Sequence, residues 1–302
     1  MPPMRQQAAL TAVDLLHADP SVAIVLAEIS TEHFKDAAVA APDRVVNVGI
    51  MEQSLVGVAA GFAMEGFRPI VHTIAPFLVE RPFEQLKLDF GYQGLGGTFV
   101  SVGASYDYAT EGGTHHAPGD VEALAAIPGF ELLIPGHPAE VDRLLRATYA
   151  NPSPTYVRTS VSQNRRALDV EPGRMEVVRR GSQATLIAVG PMLDRSFEAA
   201  EGLDVTVLYA TSVAPFDART LVDVAGSLPF VIAVEPFYEG TLIPMIASAL
   251  AHVPSRIASI GVPRRFLRRY GTPGEFDRDL GLDAAGIRAR LGGLLAGAQR
   301  PT

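Results

Sequence analysis

The stretch Val45-Val46-Asn47-Val48-Gly49-Ile50-Met51-Glu52-Gln53-Ser54-Leu55-Val56-Gly57-Val58-Ala59-Ala60-Gly61-Phe62-Ala63-Met64 passes from a strand pattern into a helix pattern. Its Val-rich start predicts a strand over 45–48, and the small and aliphatic residues after it predict a helix over 51–65. Pro69-Ile70-Val71-His72-Thr73-Ile74 then returns to a short, largely apolar β run. Strand, helix and strand in that order form a βαβ unit, which places the two strands in a parallel sheet.

The same alternation extends in both directions. Further strands are expected over 22–27, 98–102, 131–134 and 155–157, with helices near 5–17, 82–92, 119–126 and 138–149. Most of these strands are unbroken apolar runs, as required when helices cover both faces of a sheet. After Arg158 comes the polar segment Ser160-Val161-Ser162-Gln163-Asn164-Arg165-Arg166 and then the turn residues Glu171-Pro172-Gly173-Arg174. Beyond it strands are expected over 184–189, 205–209, 230–234 and 256–260, with helices near 193–200, 217–226, 241–251 and 284–294. The expected architecture is α/β with two doubly wound domains, 1–160 and 182–302, joined by a linker over 161–181.

Composition narrows the function classes. The 302 residues suffice for two such domains, and 48% hydrophobic with 19% charged residues is an ordinary folded composition. Lys and Arg number 25 against 33 acidic residues, for a net charge of −8, and the arginines lie scattered or in short pairs. That pattern makes no nucleic-acid footprint. Cysteine is absent, which removes disulfides, thiolate metal sites and cysteine nucleophiles, and fits a cytoplasmic location. No run approaches the roughly 20 apolar residues of a membrane span, and the N-terminus carries no signal core. Nucleic acid and membrane are therefore not expected as partners.

In open parallel sheets, ligands bind beyond the carboxyl ends of the strands. Glu28 follows the first strand, Glu52 the second and Phe77 the third. The fourth leads to Tyr106-Asp107-Tyr108-Ala109-Thr110-Glu111-Gly112-Gly113-Thr114-His115-His116. Each has an ordinary reading: Glu52 as a helix-start charge, Phe77 as core, and His72 as a satisfied strand residue. Adjacent histidines point in different directions, so His115 and His116 are read as one site residue and one structural residue, with no metal site. The Gly112-Gly113 pair lets backbone approach a ligand. No GxSxG elbow, Walker loop or GxGxxG fingerprint is present.

These residues, taken in order, resemble the C-terminal half of transketolase, namely the pyrimidine-binding and C-terminal domains of thiamine-diphosphate enzymes. Val48-Gly49-Ile50-Met51-Glu52-Gln53 resembles the family's G-[IV]-x-E-[HQ] helix start, and Gly66-Phe67-Arg68-Pro69 the turn after that helix. Arg81-Pro82-Phe83-Glu84-Gln85 resembles R-A-[FY]-[DE]-Q, and Glu111-Gly112-Gly113-Thr114-His115 stands where the family has D-G-P-T-H. Ile127-Pro128-Gly129-Phe130, Ile134-Pro135, Gly261-Val262-Pro263, Phe266 and Gly281-Leu282-Asp283 follow in the expected order.

The resemblance implies roles. Glu52 would hydrogen-bond the pyrimidine ring nitrogen of thiamine diphosphate, Phe77 would stack on that ring, and Glu28 would stand near the cofactor. His115 and Glu111 would meet the donor's hydroxyls, and Arg158 would bind a substrate phosphate. Two departures speak against a standard pentose phosphate: Glu111 replaces Asp, and the family's upstream phosphate-binding His falls at Gly103. The G-D-G signature of the diphosphate- and Mg²⁺-binding domain is missing. The resemblance thus implies half of a split enzyme, completed by a separately encoded subunit that holds the diphosphate and Mg²⁺, as an α2β2 heterotetramer. Three rivals stand beside it. The β subunit of a 2-oxo-acid dehydrogenase decarboxylase lacks the Gly-Thr-His loop, a deoxyxylulose-phosphate synthase-like carboligase is normally one longer chain, and a silent scaffold subunit would not need Glu52.

Overall fold

In the computed structural model, which describes residues 1–226, 228 and 230–298, the alternating pattern becomes two sheets wrapped by helices. The last four residues of the expected second domain, 299–302, lie outside the described residues. The first half runs α1 (Met4–Ala18), β1 (Val22–Leu26), α2 (Lys35–Ala40), β2 (Val45–Asn47), α3 (Glu52–Met64) and β3 (Arg68–Ile74). It continues with α4 (Ala75–Val79), α5 (Phe83–Gln85), β4 (Gly97–Val102), α6 (Asp120–Ala125), β5 (Glu131–Leu133), α7 (Pro138–Thr148) and β6 (Pro154–Arg158). The second half runs β7 (Met175–Arg179), β8 (Ala184–Val189), α8 (Leu193–Ala199), β9 (Val205–Ala210), β10 (Ser212–Ala214) and α9 (Ala218–Ala225). It ends with β11 (Phe230–Tyr238), α10 (Ile243–Ala249), β12 (Arg256–Val262), α11 (Pro273–Leu280) and α12 (Ala284–Ala298).

The first sheet has the order β10-β5-β6-β4-β3-β1-β2 and the second β12-β11-β8-β9-β7. Every pairing is parallel except the edges β10–β5 and β7–β9. All five residues of β1 are buried, because both faces of the sheet carry helices. Each such aliphatic side chain contributes roughly 1.5–3 kcal/mol of transfer free energy. The chain leaves β1 for β2 on one side and returns for β3 on the other, so the strand order reverses there. The ends of β1 and β3 therefore flank the crevice in which such sheets bind ligands. No helix among the described residues is long and apolar enough to cross a membrane.

Three expectations change in detail. The helix expected over 82–92 is one short α turn followed by a π-helical stretch, Leu86–Tyr92, which seats both Leu86 and Phe90 in the core. The segment read as a linker holds β7, which pairs antiparallel with β9 because its backbone donors need a sheet partner. The second half also lends β10 to the edge of the first sheet, with Ser212 opposite Leu133 and Ala214 opposite Leu132.

The seam between the halves is polar and buried. The Arg158 side chain is 1% exposed and donates from Nε to Asp120 Oδ2 at 2.7 Å, an oxygen that also accepts from Tyr156 OH at 2.7 Å. Its Nη2 donates to Ser105 Oγ at 2.8 Å and to the Ala117 carbonyl at 3.3 Å, and its guanidinium faces the Phe237 ring of β11 at 5.6 Å. Ser105 Oγ in turn donates to the carbonyl of Pro236. The resemblance implies a substrate-phosphate role for Arg158; in this structure its side chain lies in the seam. The residue ends a strand that is buried on both faces, so its fork points into the seam, where Nε and Nη2 are engaged. It holds both ends of the 105–117 loop, where Ala117 N–H also donates to the Ser105 carbonyl at 2.8 Å.

These buried polar groups can be tested in solution. Replacing Arg158 with Met leaves the Asp120 charge buried and unpaired, so urea denaturation should report a loss of about 3–5 kcal/mol. Adding Asp120→Leu should recover part of it, and an unchanged single variant would contradict the seam role. A second test concerns His72, 3% exposed, whose Nδ1 donates to the Val100 carbonyl at 2.9 Å while Nε2 accepts from Ser30 Oγ at 2.8 Å. Burial pushes its imidazole down to about 4. A depressed histidine contributes stability that is present above the unfolded value near 6.5 and lost as the pH falls toward 4, here on the order of 3 kcal/mol. NMR should find His72 neutral at about pH 5, where exposed histidines are charged; protonation near pH 6 would exclude the assignment.

Candidate active site

The site begins with a carboxylate at a helix start. Gly49, at φ +75°, turns the chain from β2, and Glu52 opens α3 only 3% exposed. Unpaired backbone N–H groups of the first helical turn favour negative charge there. Among the described residues Arg81 is the one side chain that hydrogen-bonds Glu52, its Nη1 lying 3.1 Å from both carboxylate oxygens. The guanidinium carbon of Arg81 sits 3.7 Å above the centroid of the Phe77 ring, a stacked cation–π contact. Phe77 lies on α4, directly after β3, where Pro76 favours the helix start and Leu78 and Val79 anchor the other side in the core.

His115 stands edge-on to Phe77, with ring centroids 5.0 Å apart at 69°. Thr114 Oγ1 lies 3.0 Å from His115 Nδ1 and fixes the ring from the loop side. Tyr108 packs edge-on against His115 at 6.2 Å. Gly103 takes φ +77°, and a Cβ there would fall 2.4 Å from the Tyr108 ring. No side chain fits at Gly103, and the Tyr108 ring fills the space beside it. A row of contacts thus runs from Glu52 through Arg81, Phe77 and His115 to Tyr108, and Arg5 donates from Nε to Ser30 Oγ at 2.9 Å.

Glu28 borders this row at the end of β1. Its backbone takes φ +61° and that of Ser30 φ +63°, a left-handed conformation costing non-glycine residues of order 1 kcal/mol each. Asn47 holds the strained turn: its Oδ1 accepts from the N–H groups of Glu28 and Gly49, both at 3.1 Å, and its Nδ2 donates to Glu28 Oε1 at 3.2 Å. Glu111 is exposed on the loop, with Thr110 Oγ1 donating to it at 3.4 Å. Among the described residues no group of three or more His, Asp or Glu side chains is arranged to hold a metal ion.

The strand-end residues Glu52, Phe77 and His115 thus converge, with Glu28 and Glu111 on the margins and Arg158 removed to the seam. Reading the sequence for roles missed Arg81, Arg5, Tyr108 and Asn47. Arg81 stood in a quoted motif without a role, and Tyr108 stood in the inspected loop. Arg5 reaches the site from a helix before the first strand, so nothing in local spacing pointed to it.

Comparison with known proteins identifies the family. The transketolase pyrimidine-binding domain matches residues 1–166, and the transketolase C-terminal domain matches residues 173–287. A 33.6 kDa protein of the fasciation locus of Rhodococcoides fascians is 42% identical over 283 residues, covering 93% of this chain and 91% of that one. A subunit of the apulose-4-phosphate transketolase of Actinobacillus succinogenes is 31% identical over 237 residues, covering 76% of this chain and 74% of that one. A split-gene transketolase solved as an inactive β4 tetramer superposes with a TM-score of 0.86 at 26% identity, over 97% of this chain and 98% of that one. Two domain matches that span both sheets, joined to full-length structural likeness, place this chain in the transketolase family, as its pyrimidine-binding and C-terminal domains.

Proposed function

We propose that this chain is the pyrimidine-binding subunit of a split, thiamine-diphosphate-dependent transketolase-like enzyme. Its reaction would transfer a two-carbon ketol or related acyl-anion unit from a ketose or 2-oxo acid donor to an aldehyde acceptor. The observation that carries the reading is the pairing of Glu52 with Phe77. A buried carboxylate and an aromatic face are bridged by the flat cation of Arg81, so the geometry already accepts a planar, nitrogen-bearing group on both at once. A pyrimidine ring has that chemistry, and Arg81, whose side chain is exposed, is the group that yields to it.

Thiamine diphosphate, when bound, supplies the acyl-carbanion chemistry. The chain's own residues bind and orient. Glu52 shares a proton with a ring nitrogen, in surroundings that exclude water. Phe77 holds the ring face, Glu28 borders the cofactor, and His115 and Glu111 meet the donor's hydroxyls. Tyr108, packed where Gly103 leaves no room for a side chain, favours a donor other than the standard pentose phosphates. The diphosphate and Mg²⁺ fall to a separately encoded subunit in an α2β2 assembly, since this chain has no G-D-G segment. A cysteine-free sequence suits a cytoplasmic setting.

Calorimetric titration of thiamine diphosphate with Mg²⁺ should give no binding to the chain alone and saturable binding once the diphosphate-domain protein is mixed in. Tight binding by the chain alone would overturn the division of the site. In the mixture, Glu52→Gln should lower turnover by about 10²–10⁴-fold, whereas unchanged turnover would identify a silent subunit. Across a panel of donors, highest turnover with xylulose 5-phosphate would overturn the donor assignment.

A further inference from the structure

Beside the loop that carries His115 lies a cavity of about 490 Å³ whose lining the proposed reaction leaves unused. One wall is the segment Arg265-Phe266-Leu267-Arg268-Arg269-Tyr270, which follows β12. The opposite wall is formed by Gly112, Gly113 and His116, and Tyr238 at the end of β11 closes the side. The two walls are held together: Gly271 N–H donates to the Ala109 carbonyl at 3.3 Å, and the Tyr270 ring lies so close that a Cβ on Gly112 would fall 2.6 Å from it. The second domain therefore contributes a fixed face to this cavity.

Its charge is one-sided. Three guanidinium groups line it against the single carboxylate of Glu80. Arg269 is paired with Asp279, and the neighbouring Arg264, outside the cavity, is paired with Glu122. Among the described residues neither Arg265 nor Arg268 has a carboxylate within ion-pair distance, in a chain whose net charge is −8. A second observation is independent of the arginines. His116 is 8% exposed, and among the described residues its Nε2 has no hydrogen-bond partner, which is costly for a buried polar atom. Burial and the neighbouring His115 hold its imidazole below the usual range. The cavity also has apolar surface, lined by Tyr238 and by Phe266, which is 83% exposed.

We propose that this cavity binds a small organic phosphate, with the phosphate on Arg265 and Arg268, His116 Nε2 as a further polar contact, and the organic body against Tyr238 and Phe266. Arginine forks match phosphate oxygens in pairs, and the volume lies within the range of small-molecule sites. The proposal goes beyond the transferase reading and does not need it. A site for an unattached phosphorylated ligand and a site for one end of a substrate share this chemistry, and the cavity adjoins the turn that presents His115.

The test uses the full chain without partner or cofactor, so it stands even if the proposed reaction fails. The His116 imidazole resonances should shift saturably as inorganic phosphate or ribose 5-phosphate is added. Ribose should give no shift, and ribose 5-phosphate should bind more tightly than inorganic phosphate. Arg265→Ala and Arg268→Ala, both at exposed positions, should keep the wild-type melting temperature and weaken phosphate binding by about tenfold or more each, a loss of about 1.4 kcal/mol. Arg180→Ala, at an exposed position outside the cavity lining, should bind as wild type. A shift unaffected by either cavity variant, or none with any phosphate, would overturn the site. Equal affinity for inorganic phosphate and ribose 5-phosphate would overturn the role given to Tyr238 and Phe266. If ribose 5-phosphate added to the assembled enzyme inhibits competitively with the donor, the ligand is a substrate end; noncompetitive behaviour identifies an independent ligand.

Discussion

The ion pair of Arg158 with Asp120 fixes the geometry on which the site depends. Charges removed from water are costly unless they are paired and hydrogen-bonded, and here the pair is supported by Tyr156, Ser105 and the Ala117 carbonyl. Because Ser105 and Ala117 are the two feet of the loop that carries Glu111 and His115, satisfying one buried cation also sets where that loop stands. The same guanidinium faces Phe237 of the second sheet, so the loop, the first sheet and the second domain share a single anchoring point. The position of His115 against Phe77 is thus a product of packing well away from either ring.

The crevice itself follows from strand order. Leaving β1 on one side and returning on the other opens a gap between the ends of β1 and β3, and Glu28 and Phe77 occupy those two ends. Glu52 reaches the same gap from the start of the neighbouring helix. Local strain at Glu28 and Ser30 is held in place by Asn47, and such over-determined strain is a feature of sites that bind ligands. Arg81 lies across Phe77 and Glu52 and keeps the carboxylate paired.

Much of this was legible from residues alone. Unbroken apolar runs identified most of the core strands, because burial on both faces leaves no alternation to confuse. The strand-end rule selected Glu52, Phe77 and His115, which the fold brings together. Arg158 came from the resemblance and not from that rule, and as the last residue of β6 it turns its side chain into the seam. β7 and β10 were missed because both are short edge strands defined by the partner they find, not by their own pattern. α11 was missed although its signal was present: Thr272-Pro273-Gly274-Glu275 forms a capping box, and Gly281 ends the helix at φ +65°. Arg5 and Asn47 could not have been found from spacing, since each acts through long-range contacts.

The small strand β10 carries a topological consequence. By adding its three residues to the first sheet, the second half caps an edge that would otherwise present the open backbone of β5 to solvent. A cut anywhere between β6 and β7 would therefore not release two finished modules. It would leave one with a bare, adhesive edge and the other with a strand that has lost its only sheet. The two halves are therefore structurally interdependent.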